Sequence, residues 1–154
     1  MAYQAKPTVT RPANTTAYTA GDVVGGAIAF SGIGPFGGDI LITSAALRIN
    51  VAAIPAGMTS FRLHLYDATP PSALVDNAPW DLPAGDRANY LGYIDLGSPA
   101  DVGSTLYVQA DQINRQIRLR TADLFGYLVT NGGFTPAGNS EVYVPELNAV
   151  RLEN

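Results

Sequence analysis

Hydrophobic positions along this chain of 154 residues fall in short runs divided by Gly, Pro, Asn and Asp. The run Ser60 to Asp67 alternates cleanly, with Phe61, Leu63 and Leu65 on one side and Arg62, His64 and Tyr66 on the other. A period of two is the mark of a half-buried strand. Asp39 to Ile54 is free of Gly and Pro, and Leu41, Ala45, Leu47, Ile49 and Val51 share one parity. This predicts a long strand, or two joined by a bulge. Asp22 to Phe30 reads as a strand weakened by Gly25 and Gly26, and Ser31 to Gly38 as a Gly/Pro loop. Tyr90 to Leu96 is another strand, closed by Gly97-Ser98-Pro99, and Phe125 to Thr130 ends at Asn131-Gly132-Gly133. Glu141 to Val144 and Leu147 to Leu152 make two more, separated by Pro145.

One long segment is ambiguous. In Ser104 to Phe125, Leu106, Ala110, Ile113, Ile117 and Leu124 fit a helical stripe. The same residues fit a hairpin, with arms at Thr105–Ala110 and Arg115–Thr121 and a turn over Asp111–Asn114. The hairpin is preferred because its neighbours are β, and the helix stays open. Residues 1–20 contain Pro7, Pro12 and five threonines with few large apolar groups, which predicts an extended arm or an edge strand. Ala68 to Asn89 is a long loop carrying four prolines and Trp80, with a short helical turn at Pro83 to Asn89. Loops of that length usually serve function or interaction. Eight or nine short strands with regular turn signals predict an all-β, antiparallel β-sandwich or jelly-roll domain over 21–154, with an N-terminal arm over 1–20. No βαβ rhythm and no internal repeat is present.

Composition narrows the chemistry. With no cysteine and one histidine, thiol catalysis, disulfide frameworks and sites needing two histidines are excluded. A net charge of −4 disfavours nucleic acid as a partner. No apolar run approaches the ~18 residues of a membrane span, and Met1 to Pro7 lacks an apolar signal core. The expectation is synthesis in the cytosol without export or membrane insertion. Lys6 is the one lysine beside eight arginines and eight tyrosines. Arg and Tyr are favoured where surfaces meet partners, which hints at a surface covered in use.

Each candidate for chemistry has a plainer reading. His64 as a general base needs an orienting carboxylate and a nucleophile, and a surface or interface histidine fits better. Asp76, Asn77, Asp81 and Asp86 could ligate calcium, but Asx residues beside prolines are turn formers. The glycines at 25–26 and 32–38 lack the Gly-Lys-Ser/Thr end of a phosphate loop and read as turns. Scattered acids give no specific glycosidase signal. Arg115, Arg118 and Arg120 form a basic stretch, read as a solvated strand face or an interface with an acidic protein. Trp80, Tyr90 and Tyr93 could stack on a sugar or pack a core. No cofactor is expected.

The run from Thr10 to Gly25, TRPANTTAYTAGDVVG, resembles the opening of small virion proteins of tailed bacteriophages. Three further runs point the same way: Phe61 to Asp67 (FRLHLYD), Phe125 to Thr130 (FGYLVT) and Phe134 to Tyr143 (FTPAGNSEVY). The resemblance implies a phage structural protein and leaves head or tail open. As a head decoration, or cement, protein it would sit on the phage head and bind the major capsid protein as a homotrimer or other homo-oligomer. Expected contact residues are then Arg11, Pro12 and Tyr18 on the arm, Trp80 on the long loop, and Arg118 and Arg120. The alternative is a tail-associated receptor- or carbohydrate-binding module.

Overall fold

The two faces of residues 61–66 are realised, with Phe61, Leu63 and Leu65 in the main core, but the strand is not half-buried: His64 and Tyr66 on the other face are buried as well. The computed structural model describes residues 1–153, and Asn154, last residue of the expected domain, lies outside them. In chain order the strands are β1 (Ala2–Ala5), β2 (Val9–Thr10), β3 (Val23–Phe30), β4 (Asp39–Ile49), β5 (Phe61–Tyr66), β6 (Tyr90–Gly97), β7 (Ala100–Asp101), β8 (Leu106–Ala110), β9 (Arg115–Arg118), β10 (Leu124–Thr130) and β11 (Val142–Arg151). A 3-10 turn at Ala84–Asn89 is the one helical element among the described residues. The larger sheet runs β1-β11-β4-β8-β7, with β2 also on β11 and β9 also on β4. The smaller runs β3-β10-β5-β6. All pairings are antiparallel, so the fold is a β-sandwich.

Three local readings are corrected. In β4 the residues that enter the main core are Ile40 and Ile42, then Ala45, Leu47 and Ile49. The register against β11 slips between Asn148 and Ala149, leaving Thr43 as the extra residue. A bulge reverses which side chains face inward, so Leu41 points away from the core face that its parity assigned to it. The same bulge shapes residues 104–125. β8 pairs with Ala45–Ile49 and β9 with Asp39–Ile42, in the same direction along one edge of β4. The segment is therefore neither helix nor hairpin but one strand interrupted at 111–114. Gln112 and Asn114 take left-handed φ values of 55° and 52°, and Ile113 N–H donates to Thr43 O at 3.1 Å. Two such residues kink the chain without reversing it, and the bond to the bulge keeps it on β4.

Pro145 does not divide the last strand. β11 runs through it, opposite Leu47. On its other side residues 144–146 have no ladder partner, because β2 pairs with 142–143 and β1 with 147–150. A proline is tolerated where a ladder is interrupted. The N-terminal segment is edge strand, not a detached arm: β1 and β2 both extend the larger sheet, and Tyr18 bridges to Phe134.

The long loop 68–89 lies over the outer face of the smaller sheet. Val23 N–H donates to Ala78 O, Asn77 N–H to Val23 O, and Trp80 N–H to Gly21 O, at 2.8 to 2.9 Å. Beneath it Val23, Tyr66, Tyr127 and Val129 form a second apolar cluster, closed by Leu74, Trp80 and Leu82. Among the described residues no helix is long and apolar enough to cross a membrane.

Candidate functional site

Two polar clusters organise the molecule. The first begins at Arg11, which is 1% exposed. A buried guanidinium needs a counter-charge and several acceptors. Its Nε donates to Tyr18 Oη at 2.6 Å, its Nη1 lies 3.6 Å from Glu141 Oε1, and it reaches Gly138 O at 3.3 Å. Tyr18 Oη donates onward to Asp76 Oδ1 at 2.5 Å, which also accepts Gly25 N–H at 2.7 Å. Burial and the Asp76 carboxylate push the Tyr18 phenol far above its ordinary value, so it stays a donor. This chain joins the N-terminal segment, the long loop, β3 and the segment before β11. Arg11 and Tyr18 are thus not exposed contact residues, which corrects that expectation: the domain itself buries them. Pro12 between them is exposed. Composition and spacing single out neither Glu141 nor Asp76 as their partners, since Glu141 is 130 positions from Arg11 and only the fold brings them together.

The second cluster surrounds His64, which is 4% exposed and not a surface histidine. Its ring stacks on Trp80 with centroids 3.8 Å apart and planes at 18°. Nδ1 lies 2.9 Å from Tyr90 Oη. Burial, helped by Arg62, pushes His64 down to about 4, so the ring is neutral at pH 7. Trp80 is half-buried, and its indole N–H donates to Tyr66 Oη at 3.1 Å. Burial raises the Tyr66 phenol to about 12. Trp80, Tyr90 and Tyr93 do come together, but around His64, which covers one face of the indole. Tyr93 is half-exposed with the Arg62 guanidinium 4.4 Å above its ring.

The remaining candidates are committed to structure. Asp76 belongs to the Arg11 network, and Asp86 accepts Ser72 N–H and Oγ–H at 3.1 and 2.5 Å. Asn77 takes a φ of 66° and donates to Ala17 O, while Asp81 is exposed. These oxygens do not converge on one point. Arg118 and Arg120 are exposed and pair with Asp39 and Asp67 at 3.5 and 3.6 Å. Arg115 bonds the carbonyl of Leu91. On the outer face of the larger sheet Glu146 collects Arg48 at 2.6 Å, Gln4 and Asn148. Burial alone would raise its carboxyl, but bonds from Arg48 and Asn148 and the charge of Lys6 hold it below its ordinary range. A groove of about 640 Å³ opens beside the β3 edge, lined by Gly25, Gly26, Leu74, Val75 and Asp76.

No protein-family model matches the chain, and no curated protein matches it. Among solved structures, a chain from the capsid of Ralstonia phage GP4 is similar at 15% identity and a TM-score of 0.45, over 100% of this chain and 85% of that one. A chain of the T13 viral particle of IBDV is similar at 8% identity and 0.37, over 98% of this chain and 31% of that one. The C-terminal domain of EclA, described as a sugar-binding protein, is similar at 10% identity and 0.37, over 94% and 78%.

Proposed function

We propose that this chain is a structural protein of a phage virion, and within that class a head decoration protein that binds the capsid lattice. One observation carries the reading. The four sequence runs that resemble small phage virion proteins meet in space as one folding unit. Tyr18 from the first packs on Phe134 from the fourth at 5.1 Å, and Phe61 from the second lies 6.3 Å from both Phe134 and Tyr143. β5 of the second run pairs with β10 of the third. Arg11 N–H of the first donates to Glu141 O of the fourth at 2.9 Å. What resembles those proteins is therefore a scaffold, with its polar groups spent on pinning loops. A protein whose task is to hold shape on a lattice needs that and no reacting group.

A tail-borne sugar-stacking module would have to use the remaining face of the half-buried Trp80, because one face is given to His64 and the indole N–H to Tyr66. Of the residues expected at the capsid contact, Pro12, Arg118 and Arg120 are exposed and Trp80 is half-buried; Pro12 lies at one end of the sandwich, bonded to Ser140, and Arg118 and Arg120 at the other, beside Asp39 and Asp67, so one contact uses one group or the other. The test is to sediment the purified chain with capsids of its phage and image the particles by electron cryo-microscopy. Saturable binding with density on the head lattice is expected. Density confined to the tail, or no binding to capsids, would overturn the reading.

A further inference from the structure

β3 closes one side of the smaller sheet, and part of its outer edge is bare. The bonds on its inner side show which part. Thr130 N–H donates to Asp22 O, and Thr130 O accepts Gly21 N–H. Main-chain groups alternate sides along a strand, so Leu124, Gly126 and Leu128 of β10 turn theirs toward β3, and Phe125 and Tyr127 turn theirs toward β5. Ala29 lies opposite Phe125 and Ala27 opposite Tyr127. The N–H and C=O of Ala27 and Ala29 therefore point out of the sheet, where β3 has no strand beside it. Nearer the start of β3 that side is occupied: Val23 bonds Asn77 and Ala78, and Gly25 N–H bonds Asp76. At Ala27 and Ala29 no bond reaches it among the described residues, and both alanines are exposed.

Proteins protect sheet edges with short strands, charges, prolines or bulges, and the other edge strands carry these devices. β2 and β7 are two residues long. β1 has four residues and runs into Lys6-Pro7, and β9 carries Arg115 and Arg118. β6 slips register against β5 twice, and Arg115 bonds Leu91 O. β3 has eight residues with neither charge nor proline. The groove of about 640 Å³ opens beside its Gly25–Ala27, and a second of about 370 Å³ beside Ala29 and Ser31. Leu74 and the 67% exposed Val75 give the first an apolar wall. Unpaired main-chain donors and acceptors beside such a wall fit one kind of occupant, an extended chain with short apolar side chains. Pro12, expected at the capsid contact, lines the same groove. We infer that an extended segment of the capsid protein adds to the smaller sheet at the outer edge of β3, bonded to Ala27 and Ala29. This inference rests on the capsid reading and deepens it, choosing the Pro12 group over Arg118 and Arg120.

The test is sedimentation of the purified full chain with capsids of its phage. Ala27→Pro and Ala29→Pro each remove an N–H that no bond inside the domain uses, and an edge strand tolerates proline. Each should weaken binding about tenfold or more. Ala27→Ser and Ala29→Ser keep the N–H and should bind as the wild type does, and so should the double variant Arg118→Ala/Arg120→Ala. Amide hydrogen exchange reads the same edge without a substitution: Ala27 and Ala29 should exchange fast in the free chain and slowly on capsids. Proline variants that are folded and bind like the wild type would overturn the edge contact and leave the capsid reading standing. So would slow exchange at both alanines in the free chain, or exchange there that capsids do not change. A wild type that self-associates through this edge, with the proline variants monomeric, would give the edge to a second copy and overturn the inference as well. A wild type that does not bind capsids would overturn both readings.

Discussion

His64 shows what one residue contributes when the fold seals it. Its folded pKa of about 4 lies below the unfolded value near 6.5. The unfolded chain therefore takes up the proton first, and stability falls as pH drops from about 6.5 to 4. Linkage over that window amounts to about 3 kcal/mol. Denaturant titrations at pH 7 and pH 4 should show this loss in the wild type beyond that of His64→Gln, which cannot titrate there. Equal losses in both proteins would refute it. Trp80 reports the same event, because protonation of the ring stacked on it should quench its fluorescence near the same pH as the stability change. Arg11 is the other decisive residue. Arg11→Ala leaves Glu141 buried without its counter-charge and should cost about 3–5 kcal/mol. Arg11→Lys should rescue little, since an ammonium cannot serve Tyr18, Glu141 and Gly138 together as the guanidinium fork does.

The N-terminal segment is the element whose meaning changed most. As a free arm it could be removed at little cost to the domain. As β1 and β2 on β11, with Arg11 and Tyr18 sunk beyond them, it is part of the sheet and of the buried network. Deleting residues 1–5 should leave a folded protein with a lowered melting temperature, because it strips one edge strand. Deleting residues 1–18 also orphans Glu141 and Asp76 and should abolish cooperative unfolding. A truncation at 18 with wild-type melting would show that the segment is an appendage after all. The loop 68–89 is likewise a layer of structure, since its Leu74, Trp80 and Leu82 close the second core. Trp80→Ala should therefore lower stability by about 3 kcal/mol or somewhat less, the low end of aromatic truncation because the indole is only half-buried.

At the scale of the molecule the first and last strands pair, Ala2 with Val150 and Ala5 with Leu147, so sheet closure needs the whole chain. Non-local antiparallel pairing is slow to find, which places refolding in about the millisecond-to-second range. Stopped-flow refolding followed by Trp80 fluorescence should show it, and completion in the dead time would contradict it.

The sequence by itself determined the fold class and most strand positions, because period two and Gly/Pro punctuation are local signals. It placed Phe61, Leu63 and Leu65 in the core and made 68–89 a loop. The runs that resemble small phage virion proteins turned out to share one core. Only the tertiary structure decided the rest. Thr43 is a bulge, and one extra residue changes the parity of everything before it without any local mark. Residues 106–118 follow β4 instead of turning back on themselves, because Ile113 is held by that bulge. Arg11, Tyr18 and His64 read as polar surface, since polarity predicts exposure unless a partner is at hand. Their partners, Glu141, Asp76 and Trp80, are distant in sequence. Burial of a polar group depends on what folds against it, and that is decided by long-range packing.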